Sequence, residues 1–233
     1  HDAADQDDLT VATLPPDRPA AADPVLPAVD PGLPGHPAGS LPGLSERADT
    51  PHPADRADAL HAADRMAGVY MPVSRRCGEL LYTLVRATRP ETVVEFGTSY
   101  GISTLYLAAA VRDNGTGHIV TTELSAVKLA AASANLAAAG VAEFVTLLGG
   151  DARDTLADVT GPVGFLLLDG WKDLYLPVLR LLEPVLSPGA LVLADDLDFP
   201  ELAGYLAHVR DPRNGYAGVS FPVDDGMELS CRV

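Results

Sequence analysis

The feature that most constrains this chain is an alternation that begins after Pro90 and repeats as far as Arg210. Short apolar runs rich in branched residues alternate with helical stretches of eight to fifteen residues. The runs are Thr92–Phe96, His118–Glu123, Phe144–Leu148, Val163–Asp169 and Ala190–Asp195. Helical spacing covers Gly101–Arg112, Ser125–Ala139 closed by Gly140, Ala152–Val159, Leu174–Glu183 and Glu201–Arg210. Strand and crossover helix in regular turn predict an α/β fold with a parallel sheet. The ending differs: Tyr216–Pro222 and Met227–Val233 flank Asp224-Asp225-Gly226, which predicts a turn between two antiparallel strands.

Ahead of this pattern, Ala54–Ala67 and Ser74–Thr88 carry apolar residues at helical spacing, with Gly68 and Pro90 as stop signals. Residues 1–53 hold eleven of the twenty Pro, nine acids against two Arg, and no aromatic residue. Such a stretch buries too little surface to offset its ordering entropy, so it predicts an extended arm, free to cross to a second subunit in a homodimer. The domain then occupies 54–233. The 47% hydrophobic residues of the whole chain suffice for a sizeable core. No apolar run reaches the roughly 20 residues of a membrane span, and the first residues are acidic, so a soluble, cytoplasmic protein is expected. Cys77 and Cys231 are expected as reduced thiols.

Charge narrows the partners. Sixteen basic against 32 acidic side chains give −16, which disfavours nucleic acid and anionic membranes and leaves a small molecule. Only two of the basic residues are lysines, Lys128 and Lys172, and Lys172 follows the only tryptophan, Trp171. Where Arg is otherwise preferred, a lysine here is chemically selected.

The acids that end the strands suggest what the small molecule is. Glu95 precedes Gly97-Thr98-Ser99-Tyr100-Gly101, a loop whose backbone N–H groups meet a helix N-terminus. The glycine spacing is not that of a dinucleotide site. Glu95 suits a ligand's amino group and Ser103 its carboxylate. Glu123 suits a ribose diol, and Gly149-Gly150-Asp151 admits a flat base with Asp151 on its edge. An amino acid, a ribose and a base together describe S-adenosylmethionine. Asp169, Asp195 and Asp196 end neighbouring strands, and three converging carboxylates favour a hard cation such as Mg²⁺. The alternative is a helix cap and the start of a solvated loop. Lys172, beside that site and an aromatic wall, is a candidate general base, a role closed to Arg.

The segment Asp169-Gly170-Trp171-Lys172-Asp173-Leu174-Tyr175-Leu176-Pro177, with Leu206-Ala207-His208-Val209-Arg210 further on, resembles the catechol O-methyltransferase family. These are class I, metal-dependent enzymes that use S-adenosylmethionine. The resemblance spans roughly Ala54 to Val233. It implies a doubly wound, Rossmann-like sheet of seven strands, mostly parallel, in the order 3-2-1-4-5-7-6, with strand 7 antiparallel and helices on both faces. It implies Mg²⁺ on Asp169, Asp195 and Asp196, and Lys172 as the base. Around the cofactor it implies Val73, Glu95, Gly97, Ser99, Ser103, Glu123, Gly149, Asp151, Asp169 and Trp171. Toward the acceptor it implies Met71, Trp171, Lys172 and Asp196. The chain departs from the family where Asp196 replaces an Asn, where Gly170 replaces a His, and where Gly218–Pro222 offers no acid for a second hydroxyl. A small phenolic or catechol-like acceptor is therefore expected. A sugar vicinal diol, a non-catalytic S-adenosylmethionine-binding module and a dehydrogenase are the alternatives.

Overall fold

The computed structural model describes residues 61, 63–70 and 72–233. The arm at 1–53, its boundary with the domain and Met71 lie outside the described residues, as does most of the helix expected over Ala54–Ala67. Of that helix, residues 61 and 63–65 are helical and lead into a 3-10 turn at Met66–Gly68.

Helix α1 (Arg75–Thr88) starts where the Ser74 hydroxyl accepts the Cys77 N–H, and it buries Cys77, Gly78, Leu81 and Val85, a stripe at helical spacing. Arg89 turns left-handed and Pro90 prevents continuation. The sheet then builds as predicted: β1 (Thr92–Phe96), α2 (Ile102–Asn114), β2 (His118–Glu123), α3 (Ala126–Ala138), β3 (Val145–Gly149), α4 (Ala152–Thr155) and β4 (Val163–Leu168). There follow α5 (Tyr175–Leu182), β5 (Leu186–Ala194), α6 (Ala203–Val209), β6 (Tyr216–Phe221) and β7 (Met227–Arg232). The order is β3-β2-β1-β4-β5-β7-β6. The first five strands run parallel, and β7 is antiparallel to both β5 and β6.

The parallel strands read as continuous apolar runs because both faces are covered. Val94, Leu166 and Leu168 pack with Tyr175, Val178 and Leu182 on one side. Val93, Phe165 and Leu167 pack with Leu81, Val85 and Leu107 on the other. The free thiols Cys77 and Cys231 match expectation. Among the described residues, no helix is long and apolar enough to cross a membrane.

Two elements differ from expectation. Strand β5 starts at Leu186, not Ala190: Val163 pairs with Leu186 but Phe165 with Leu191, so β5 bulges through Pro188 and Gly189, and Gly189 takes φ 82°. Helix α4 stops at Thr155, short of Val159. The Thr155 hydroxyl bonds the Asp151 carbonyl and meets the Thr122 hydroxyl, and Ala157 turns back to the Asp154 carbonyl.

The β7 side carries one buried charge. Glu228 is 1% exposed and takes Arg210 in a two-pronged bond at 2.9 and 2.8 Å, plus the Ser220 hydroxyl at 2.6 Å. These donors, Arg210 first, hold its carboxyl below the usual range. We expect Arg210→Met to cost about 3 kcal/mol, because it strands the carboxylate, and removal of both partners in Arg210→Met/Glu228→Leu to recover most of it. Thermal unfolding of the three proteins checks this; equal losses in the single and double variants would refute it.

Candidate active site

The sheet order reverses between β1 and β4, and at such a point the strand ends open a crevice. The ladder also levels those ends. Phe96 pairs with Leu168 and Leu168 with Ala194. The next residues continue the ladder: the Asp169 N–H donates to the Phe96 carbonyl at 2.9 Å, and the Asp195 N–H to the Leu168 carbonyl at 3.1 Å. Gly97, Asp169 and Asp195 are thus brought side by side. Gly97 has φ 106°, and a Cβ there would overlap the Asp169 carbonyl, so only glycine permits the approach.

Beyond Gly97 the loop reaches α2 through Ser99 (φ 49°) and Gly101, the left-handed N-cap. The sequence predicts free N–H groups here, but most are engaged. Gly97 and Thr98 donate to the Thr122 carbonyl at 3.2 and 3.1 Å, and Ser99 donates to Glu123 Oε2 at 2.8 Å. Glu123 also accepts the Ser125 N–H through Oε1, which fixes its carboxylate between the two βα turns.

Glu95 differs more. It is fully buried and accepts hydroxyl bonds from Ser103, Thr104 and Thr121, each 2.6 Å long. Burial raises its pKa, and the three hydroxyls oppose that rise. Glu95 and Ser103 therefore satisfy each other, where sequence reasoning gave each a separate ligand group. Thr104 and Thr121, which complete the cluster, carried no local signal.

A narrow cavity between the loop and the segment before α1 is lined by Tyr70, Val73, Gly97, Ser99, Ser103 and Asp169, with others. Tyr70 lies flat on Tyr100, ring centres 4.0 Å apart and planes at 10°. The Tyr100 hydroxyl donates to the Ala67 carbonyl, and Ser125 donates to Asp64 at 2.7 Å. Neither tyrosine is evident as a site residue in the sequence. Gly149 ends β3 opposite Glu123. Asp151 caps α4 and takes Arg153 on both oxygens, 2.9 Å at the nearer Nε contact, so a base edge would have to compete with that guanidinium.

At the other side of the crevice Lys172 opens a 3-10 turn before α5, its side chain 15% exposed. Its Nζ stands 2.6 Å from Asp196 Oδ2 and 3.7 Å from Asp169 Oδ1, and donates to the Tyr175 hydroxyl at 2.7 Å. Nζ lies over the rings of Tyr175 and Phe199, where the sequence suggested Trp171 as the wall; Trp171 is 40% exposed. Asp196 adopts φ 63°, a left-handed position that Asp tolerates better than most residues. Asp195 Oδ1 accepts the Asp196 N–H at 2.9 Å. Gly170 has a structural cause: a Cβ there would meet the Phe96 ring at 2.5 Å.

Burial raises the pKa of both Asp169 and Asp195; repulsion among the acids adds to the rise, and Lys172 opposes it. Among the described residues, no three His, Cys, Asp or Glu side chains stand together closely enough to hold a metal ion. The ammonium group of Lys172 supplies the positive charge among them.

A raised carboxyl pKa means that folding favours the neutral form, so this contribution to stability is full at low pH and is lost as pH rises through the shifted range. In chelator-treated protein, Asp169→Asn should melt higher than the parent at pH 8, by about 1–2 kcal/mol or roughly 2–8 °C, with the gain vanishing near pH 4. Calorimetry at both pH values checks it; a lower melting temperature at pH 8 would mean that Lys172 more than compensates the charge.

Comparison with known proteins identifies relatives of the chain. The family described as Methyltransferase domain matches residues 94–197. The chain is 31% identical over 147 residues to catechol O-methyltransferase of Sus scrofa, covering 60% of this chain and 78% of that one. It is 30% identical over 129 residues to catechol O-methyltransferase of Niastella koreensis, covering 54% and 58%. It is also 30% identical to catechol O-methyltransferase B of Danio rerio over 174 residues, covering 69% of this chain, so it spans a little under two thirds, 65%, of that relative. Among solved structures, the O-methyltransferase TomG from Streptomyces achromogenes, involved in tomaymycin synthesis and in complex with SAM, superposes with a TM-score of 0.60. It is 25% identical and covers 76% of this chain and 90% of its own. Cofactor-bound Rv0187 from MTB gives 0.65 at 25% identity, covering 81% and 95%. With the sheet order, the levelled strand ends and these likenesses together, the chain belongs to the class I S-adenosylmethionine-dependent O-methyltransferases, in the family that includes catechol O-methyltransferase.

Proposed function

We propose that this chain transfers a methyl group from S-adenosylmethionine to a hydroxyl of a small phenolic or catechol-like molecule, assisted by a divalent cation such as Mg²⁺. The observation that carries this reading is Lys172, held with its Nζ 2.6 Å from Asp196 and 3.7 Å from Asp169 in the crevice beside the Gly97 loop. A soluble, cytoplasmic setting without nucleic-acid or membrane partners fits the net charge of −16.

The donor chemistry suits the cation, although the three carboxylates do not stand close enough together to hold one as they are. Asp169, Asp195 and Asp196 offer only oxygen, two of them are raised in pKa by burial and repulsion, and Lys172 already marks a place where positive charge is favoured. Those three residues would hold it on drawing closer together than they stand around Lys172. When bound, S-adenosylmethionine supplies an activated methyl group and the cation makes the acceptor hydroxyl more acidic.

The chain's own residues do the rest. Gly97, Ser99 and Ser103 shape the cavity wall, and Glu123, anchored by the Ser99 and Ser125 N–H groups, faces the turn where a ribose diol would lie. Val73 closes the cavity from the α1 side, and Asp169 borders both the cavity and the acid cluster. Half-exposed Trp171 offers a flat face to an aromatic acceptor. Lys172 Nζ takes the proton from the acceptor hydroxyl. Placement of acceptor and donor in line supplies much of the acceleration.

Two outcomes are expected with a panel of phenols and catechols, read by mass spectrometry as the gain of one methylene. Chelation abolishes methylation and Mg²⁺ restores it; full turnover in chelator removes the metal from the reading. Lys172→Arg keeps the charge yet loses roughly 100-fold in kcat, since a guanidinium does not take up a proton at neutral pH. Normal turnover in that variant would leave the lysine only an electrostatic role.

A further inference from the structure

We propose that Tyr175 is the positioning residue for Lys172: its hydroxyl, held in the core, fixes where the ε-amino group stands. The inference rests on the reading of Lys172 as the base. Lys172 and Tyr175 bracket the 3-10 turn Lys172–Leu174, so their side chains lie three residues apart on one side of the chain. Tyr175 is completely buried, edge-on to Phe96 at 6.2 Å and to Tyr205 at 5.9 Å. Its ring therefore has no freedom to follow the lysine. The hydroxyl accepts from Lys172 Nζ at 2.7 Å and points its own hydrogen at the Asp195 carbonyl, 3.4 Å away. Nζ is 5.0 Å from the ring centre, so the polar contact, not the ring face, is the closer hold.

The chain of contacts matters because Asp195 is itself held by the ladder, through its N–H on the Leu168 carbonyl. Tyr175 thereby ties a flexible four-carbon side chain to the end of β5. Asp196 and Asp169 attract the same amine, but both are partly exposed and belong to the cluster offered to the cation. A neutral phenol holds the amine whichever way those carboxylates are engaged.

The presence of only two lysines, Lys128 and Lys172, makes the test direct. In protein labelled with ¹³C-lysine, with Lys128→Arg giving the assignment, Lys172 should show two distinct Hε shifts. In Tyr175→Phe, which keeps the packed ring, they should merge toward the single averaged shift of a free lysine. Tyr205→Phe is the control: it removes a fully buried hydroxyl that has no hydrogen-bond partner among the described residues, and it should leave the Lys172 signals unchanged. With 3,4-dihydroxybenzoate and Mg²⁺, Tyr175→Phe should lower kcat about 10- to 100-fold, with KM for S-adenosylmethionine unchanged. Unchanged Lys172 shifts in Tyr175→Phe overturn the proposal. If those shifts merge while Lys172→Arg turns over normally, the positioning stands and the base assignment falls.

Discussion

The site depends on a register. Phe96, Leu168 and Ala194 end their strands at one level, and two further ladder bonds carry that level to Asp169 and Asp195. Side chains separated by up to a hundred residues of chain are thereby placed by backbone hydrogen bonds in the middle of a sheet covered on both faces. A slip of one residue in β4 would turn Asp169 toward the opposite face. Gly97 makes the level workable, because its missing side chain lets the end of β1 touch the backbone of β4.

Charge is handled in two ways within this small volume. Glu95 is buried and shielded by three hydroxyls, a closed arrangement with all its partners supplied by β2 and α2. Asp169, Asp195 and Asp196 gather near the Lys172 ammonium, which among the described residues pairs with Asp169 and Asp196. The first arrangement supports the fold around the glycine loop. The second keeps like charges together at a cost in stability, which is the usual mark of a site selected for binding or chemistry rather than for folding.

Much of this was legible in the sequence, since β1 and β2 have the predicted bounds and the acids at the ends of β2, β4 and β5 stand at strand ends as expected. What was hidden depends on neighbours distant in sequence. In Thr92–Phe96 both faces are buried, so alternation does not tell which way Glu95 points. The loop's N–H groups look free until β2 lies beside them and Thr122 and Glu123 take them up. Gly170 reads as a lost contact until the Phe96 ring is seen occupying the space. Thr155 ends α4 early through a hydroxyl partner on β2 that local propensity does not include.

The tyrosine stack has a thermodynamic consequence. Residues 63–70 reach the rest of the domain through Tyr70 on Tyr100, Ala67 on the Tyr100 hydroxyl, and Asp64 on Ser125. All three anchors lie in or beside the two turns that carry Ser99 and Glu123. Whatever steadies those turns therefore also steadies the segment, and fastening the segment tightens the turns by the same free energy. Order in residues 63–70 and order in the two turns become two measures of one equilibrium.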